Sequence, residues 1–538
     1  MNTIEANQGI SRRGLFKLGG LTAATMAGAS LLSGCGQPRQ AGTPTAETGA
    51  AVSDGTPSFL VAPEPIANPD ETREFEVVVV GAGVSGMAAA MSAAEAGAKT
   101  ACVQREIAPS SQGNMAASVD LEQTSEAAKQ ALISYLITLG QHRSNRALLE
   151  VWADNSYEAL AWFKEAAAKG GVEVNPDEPQ ADRVLDINGY KVYLHANTYF
   201  GIGHDEVVKA IEPTATAAGV EFFFECPAVQ LVTDEGGRVT GVVCEEGGKN
   251  VLFNASKGVI LATGDYQCDE EMVAYYCPDI VGFPPCQINR TGDGHKMGVW
   301  AGGEIEPTTH TKMIHDARVG RVDTPHLLVN TKGERFMCEG PMQGYLNNYV
   351  REVIHETGDP TAGNLYTVVD AKWQEQIVEW KALDPEIDAS NCKWYYEGNT
   401  IEEACAAMAA DTESGGYTLD PAAVQATVDR YNELCAKGAD DDFGKNPVFM
   451  RALENPPFII VPHEFGFGLS AIIGGLLVNA DNQVLKAEEH TPIEGLFAVG
   501  NVSGCFYGGV DYPMDVLGLS IGRAITGGYV AGKHVASL

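Results

Sequence analysis

The chain has 538 residues, too many for one ordinary hydrophobic core, and its 45% hydrophobic and 20% charged content is that of a globular protein of two or three domains. A formal net charge of −35 repels phosphate backbones and excludes nucleic acid as a partner class. The 12 cysteines contain no C-x-x-C and no C-x-x-C-H spacing, which argues against zinc, iron–sulfur and c-type haem sites, and no metal is expected. Cys277 and Cys286 are close enough in sequence to pair, but spacing alone leaves that open.

The N-terminus reads as an address. Ser11-Arg12-Arg13-Gly14-Leu15-Phe16-Lys17 precedes an apolar, small-residue stretch from Leu18 to Leu32, too short to span a bilayer as a mature helix. The stretch ends in Leu32-Ser33-Gly34-Cys35. The first motif resembles a twin-arginine export signal and the second a bacterial lipobox, which implies acylation of Cys35 and an export signal over residues 1–35. The expected location is the outer face of the cytoplasmic membrane, held by a lipid anchor alone. Residues 36–70 hold Pro38, Pro44, Pro57, Pro63, Pro65 and Pro69 amid Ala, Thr and Gly, the composition of a flexible tether.

Phe75 to Val80, FEVVVV, is a β-branched run suited to a buried parallel strand. It leads directly into Gly81-Ala82-Gly83-Val84-Ser85-Gly86, then an alanine-rich helical stretch to Ala96, Gly97, and a second strand over Thr100 to Val103. This is the strand, G-x-G-x-x-G, helix, strand order of a dinucleotide site. Gly81 permits the tight turn, Gly83 the approach of the backbone to a pyrophosphate, and Gly86 close packing of helix on sheet. An acidic residue is expected at the end of the second strand to bind ribose hydroxyls. Gln104 stands there, with Glu106 two residues on, and an amide binds a hydroxyl without the assistance of charge.

Further pieces follow in a fixed order: Gly113-Asn114; Ser156 to Phe163; Gly258 to Gly264, which includes Thr263; Thr291-Gly292-Asp293-Gly294; Leu328-Val329-Asn330 with Gly333, Arg335, Phe336 and Glu339; Val428 to Gly444; and Gly495 to Asn501, which includes Gly500. Together with Gly518-Leu519-Ser520 they resemble the fumarate reductase/succinate dehydrogenase flavoprotein superfamily, and more narrowly the secreted FAD-dependent reductases of anaerobic bacteria. The resemblance covers roughly Phe75 to the C-terminus. It implies an α/β fold, a Rossmann-like FAD domain with an inserted α+β capping domain. The FAD domain is expected over 71–306 and 455–538, the cap over 307–454, and the substrate between cap and flavin. A helix opening at Leu519 and Ser520 is expected to aim amides at the flavin N1 and C2 carbonyl, although Ser520 also suits simple helix capping. Succinate dehydrogenases attach FAD through a histidine near the segment matched by Asn114. Met115, Ala116 and Ala117 follow here, so FAD is expected to be non-covalent.

The departures from the family shape the functional expectation. Fumarate reductases hold a substrate carboxylate with a His-Thr-Met-Gly-Gly stretch, where this chain has Ala471-Ile472-Ile473-Gly474-Gly475. The family's acid arginine falls on Gln343, and the arginine near the end of the substrate site is absent from Tyr507-Gly508-Gly509-Val510-Asp511-Tyr512-Pro513. Dicarboxylates are disfavoured, and a conjugated alkene such as an enone, a cinnamate-like acid or a steroid fits better. By family analogy the flavin gives hydride to the β-carbon and an acid protonates the α-carbon. Tyr512 is the first candidate acid and Tyr507 the second, with wall packing an equal alternative for both. His315 and His310 fall near a family substrate histidine and suit either substrate binding or the core. Arg335 matches a family position that serves either the site or the cap's structure. The expected activity is reduction of an activated C=C bond in anaerobic respiration. The alternatives are a flavin dehydrogenase of the 3-ketosteroid type and a non-enzymatic flavin electron carrier. Reducing equivalents are expected from a separate cytochrome or quinol-linked partner, for which the acidic surface suits a basic face or is simply solvated.

Overall fold

The computed structural model describes residues 56–113, 115–172, 183–199, 204–283, 285–317, 325–340, 352–353, 356–357, 363–383, 395–412, 416–463, 466–509, 512 and 515–538. Asn114, Gln343 and Cys35 lie outside them, as does the side chain of His315. The chain divides into two units, changing from one to the other at His315/Asp316 and Phe467/Gly468. Sequence placed these passages at 306/307 and 454/455.

The larger unit is built on the expected strand–helix–strand motif. β1 (Glu71–Val80), α1 (Val84–Glu95) and β2 (Thr100–Val103) follow one another, and β1 and β2 pair in parallel from Val77↔Thr100 to Val80↔Val103. β1 lies between β2 and β9 (Lys249–Leu261), also parallel. The sheet extends through β6 (Val220–Phe223) on one side and through β17 (Pro492–Ala498) and β16 (Gln483–Leu485) on the other. Strands β7 (Ala228–Thr233) and β8 (Val239–Glu246) branch antiparallel from β9. The inner strands are buried on both faces, Val77, Val78 and Val79 each at 0% exposure, which is why they are continuous apolar runs with no polar alternation.

Helix α10 (Leu519–Ser537) lies against α1. A Cβ on Gly528 or Gly532 of α10 would stand 2.2 Å from the Ser85 or Ala89 carbonyl oxygen, so two glycines set the close approach of the helices. Helices α2 (Glu126–Leu139), α3 (Arg146–Lys169), α4 (His204–Ala217), α5 (Glu270–Tyr276) and α6 (Asp293–Trp300) also belong to the unit, with a small sheet of β3 (Met115–Val119), β5 (Tyr190–Tyr199) and β4 (Arg183–Ile187).

The tether expected over 36–70 ends earlier than that. Phe59 is buried at 4% exposure and packs on Tyr275 and Tyr276, while its carbonyl accepts a bond of 3.0 Å from Trp300. Ile66 N–H donates to Gln230 and Asp70 N–H to the Asn250 carbonyl. One buried aromatic ring outweighs the disorder that the proline-rich composition suggests. Strands β10 (Thr311–Ala317) and β15 (Gly466–Ile473) form a two-stranded sheet that carries the chain out of the larger unit and back.

The second unit is α+β. Its antiparallel sheet runs β11 (Leu327–Val329), β12 (Leu365–Val369), β14 (Phe458–His463), β13 (Tyr396–Gly398). Helices α7 (Trp373–Leu383), α8 (Ile401–Ala410) and α9 (Pro421–Lys437) belong to it, and α9 ends at Gly438 in the left-handed region. One core gathers Ile401, Met408, Val424, Val428 and Tyr431; another gathers Val369, Ile377, Trp380 and Val461. Arg335 binds two buried carboxylates bidentately, Glu339 at 2.8 and 2.6 Å and Asp440 at 2.9 and 2.7 Å. Lys445, fully buried, approaches Glu339 at 3.5 Å and donates to the Tyr431 hydroxyl at 2.9 Å. Arg335 is thus a structural residue of this unit, the second of the two roles its sequence position allowed.

Candidate active site

The carboxyl ends of β1, β2, β9 and β17 open on one cleft, the position ordinary for a cofactor site on a parallel sheet. Its wall contains Gly81, Gly83, Gln104, Thr263, Gly264, Gly500, Asn501 and Ser520, eight of the residues expected from sequence. Gly81 has φ +105°, and its Cβ would stand 2.5 Å from the Ala262 carbonyl oxygen. Gly83 is the N-cap of α1 and supplies no capping side chain, so the first-turn amides are left for a ligand. Gln104 does more than the sequence suggested. Its carbonyl accepts from Ala82 N–H at 3.2 Å, and its amide donates to Glu106 at 2.6 Å. The amide side chain therefore fixes the glycine turn and holds a carboxylate beside it.

Four expected residues do not line the cleft. Gly86 lies beneath it, where a Cβ would stand 1.8 Å from the Gly81 carbonyl oxygen. Gly113, at φ +81°, accepts the His204 amide at its carbonyl. Leu519 is fully buried as the first residue of α10. Asp293 opens α6 (Asp293–Trp300) and pairs with Arg105 and with the Thr291 hydroxyl, so its carboxylate is spent on holding the loop after β2. Sequence reading missed Ser110, Ser111, Gln112, Asp265, Arg290 and Ile521 in the cleft wall. Asp265 follows Gly264 and Arg290 precedes the Thr291–Gly294 turn, so adjacency to recognised motifs was the available signal.

The stretch expected to meet substrate lies against this wall. The Ser470 carbonyl accepts from Gln112 at 2.8 Å and from Gln267 at 3.3 Å, and Ile472 N–H donates to Asp265 at 3.1 Å. Ala471, Ile472 and Ile473 are buried at 1, 0 and 3% exposure. Glu306 accepts from the amides of Gly475 at 3.2 Å and Cys505 at 2.9 Å. Burial pushes the Asp265 and Glu306 carboxyls above their ordinary range.

Helix α10 begins with Gly518 as N-cap and no side-chain cap, so Ser520 does not cap it. The Tyr512 hydroxyl takes up that end by accepting Ser520 N–H at 3.1 Å. Tyr507 packs on Tyr512 with ring centroids 5.3 Å apart, and its hydroxyl lies beside Ser520 and Tyr512. Burial raises both phenols well above their ordinary value, and both hold their protons at neutral pH. His310 is a core histidine, with Nδ1 2.5 Å from the Tyr266 hydroxyl and Nε2 2.9 Å from the Glu306 carbonyl oxygen. Burial lowers its pKa to about 3, so it is neutral. Cys277 is buried against Tyr266 and Cys286 is exposed, and both are free thiols.

A glycine turn, an uncapped helix start and a second helix start at one cleft fit the pyrophosphate and ring of a flavin dinucleotide. Fold and cleft together define a flavin-dependent oxidoreductase. The chain belongs to the FAD binding domain family, which it matches over residues 76–512. It is 26% identical to the digoxin reductase of Eggerthella lenta, over 99% of this chain and 98% of that one. It is 25% identical to the vinyl phenol reductase of Lactiplantibacillus plantarum, over 86% of this chain and 96% of that one. Among solved structures it resembles the open conformation of a flavocytochrome c3 fumarate reductase with TM-score 0.61 and 23% identity, over 88% of this chain and 79% of the other. The cofactor is FAD, and the chain is an FAD-dependent oxidoreductase acting on CH–CH groups.

Proposed function

We propose that this chain reduces the activated C=C bond of a small organic acceptor other than fumarate. One observation carries the reading: the stretch Ala471-Ile472-Ile473, which lies against the cleft wall through Asp265, is buried and apolar where a fumarate reductase presents histidine. A dicarboxylate would lose its hydration there without a charged partner. FAD, held non-covalently since Met115, Ala116 and Ala117 offer no histidine, supplies a hydride when reduced. Tyr512 then supplies the proton. Burial keeps its phenol protonated, and the Ser520 amide stabilises the phenolate left when the proton departs. Tyr507 is the alternative donor, and His315 a substrate-binding residue.

The binding half of the reading is tested by titration of the oxidised holoprotein. Cinnamate-like acids and enones should perturb the flavin absorption band saturably, and fumarate at equal concentration should not. A fumarate-induced shift tighter than that of every conjugated ligand would reverse the assignment.

The reading extends to export by the twin-arginine route, a lipid anchor on Cys35 and electrons drawn from a separate cytochrome or quinol-linked donor at the membrane during anaerobic respiration. Among the described residues no helix is long and apolar enough to cross a membrane. In cell fractionation the wild-type protein should sediment with membranes and Cys35→Ser should not. Equal distribution of the two would remove the anchor.

A further inference from the structure

Beside the cofactor cleft lies a second, small cavity of about 30 Å³, and Gly500 is part of both walls. The second wall includes Trp152, Phe506, Asn482 and Arg523. Arg523 and Asn482 are each only 6% exposed. Arg523 donates one guanidinium nitrogen to the Gly500 carbonyl and lies over the rings of Phe506 at 5.1 Å and Tyr507 at 5.4 Å. Its Nε has no acceptor, and neither has Asn482 Nδ2. No carboxylate is in the wall, so among the described residues the only formal charge facing the cavity is that of Arg523.

Two buried donors left unpartnered in one cavity call for an acceptor, and the buried carboxylate that acts on Arg523, Glu306, is not part of the cavity wall. Trp152 and Phe506 supply apolar walls that favour a compact ligand. We propose that this cavity binds a small monovalent anion, a halide or a one- or two-carbon carboxylate, between Arg523 and Asn482. The site is coupled to the cofactor through Gly500. That residue has φ +73°, its carbonyl is held by Arg523, and its Cα faces Ser85 so closely that a Cβ would stand 2.6 Å from the Ser85 hydroxyl oxygen. An anion that steadies Arg523 steadies the loop that the cofactor cleft shares.

The test is thermal unfolding of the FAD-loaded protein in sodium chloride, bromide or formate, with sodium gluconate holding the ionic strength constant. Gluconate is too bulky for the cavity. The wild-type melting temperature should rise saturably with each small anion, and the relative response to halide and formate identifies the preferred source. Arg523→Met should weaken the half-saturating concentration by roughly tenfold or more, the loss of a charge-assisted contact. Should that variant fail to fold, Asn482→Asp decides the matter. Asn482 has φ +60°, a conformation aspartate also adopts, and the new carboxylate takes the anion's place. That variant should melt higher than wild type in gluconate alone and ignore added chloride. Melting of the wild type that is independent of small anions, or a chloride response unchanged in Asn482→Asp, overturns the proposal.

Discussion

Gly86→Ala is expected to give a protein that has lost its flavin. The added Cβ would stand 1.8 Å from the Gly81 carbonyl oxygen, 2.9 Å from its carbon and 3.1 Å from the Ala262 Cβ. The first two are backbone, so no side chain can swing aside. Either α1 moves off β1 or the turn at Gly81 opens, and both displace the amides that face the pyrophosphate. Overpacking of this kind costs about 1–3 kcal/mol of stability. The effect on FAD is larger than the effect on the fold, since the displaced atoms are the binding atoms. An affinity loss of roughly 100-fold, about 2.7 kcal/mol, is expected from quenching of FAD fluorescence. Gly97→Ala is the control. Gly97 has φ +93° but nothing within 4 Å of its Cβ, so it should lose stability and keep FAD. Equal FAD affinity in Gly86→Ala and wild type would contradict the account of the turn.

Arg335→Ala should be the most destabilising single change in the second unit, by about 3–5 kcal/mol. The guanidinium is the shared partner of Glu339 and Asp440, whose side chains are fully buried, and its removal leaves two carboxylates facing Lys445 alone. The pH dependence has a definite sign. Burial raises the Asp440 pKa, but the hydrogen bonds from Arg335 and the Lys445 amide outweigh it and hold the carboxyl well below its ordinary 3.8. A depressed folded value means a contribution complete above about pH 4 and lost as pH falls from there through the lower folded value. Wild type should therefore shed stability in acid across that window. Arg335→Ala, already short of that contribution at pH 7, should show a shallower acid dependence. Parallel acid-unfolding curves for the two proteins would show that the ion cluster carries no stability.

Sequence made the cofactor turn legible because its signal is local. A β-branched run, three glycines at set spacing and an alanine-rich helix are contiguous, and each position has one physical reason for its residue. The remaining cleft wall was only partly legible. Asp265 reaches the site because β9 lies beside β1 in the sheet, a long-range pairing that no residue near Gly81 announces, while Ser110 to Gln112 arrive on the segment after β2 and Arg290 on the loop before α6. Asp293 was expected at FAD from a family motif, and its carboxylate pairs with Arg105, a partner distant in sequence that the motif does not announce. Ser520 suited capping by its chemistry, yet the helix starts before it, with Gly518 as N-cap, and the Tyr512 hydroxyl accepts the Ser520 amide. Phe59 was hidden by the proline-rich composition around it, which describes an average over the segment and says nothing of one anchoring ring.

The central claim is reduction of a conjugated, non-fumarate alkene, and stopped-flow reoxidation tests it most directly. Holoprotein reduced anaerobically by a viologen dye, freed of excess dye, is mixed with enones, cinnamate-like acids and fumarate in turn, and the return of flavin absorption is followed. At least one conjugated acceptor should reoxidise the flavin and yield the saturated product, fumarate should do so far more slowly, and Tyr512→Phe should slow the productive reaction. Reoxidation by fumarate faster than by every other acceptor, or by none of the alkenes at all, would contradict the account.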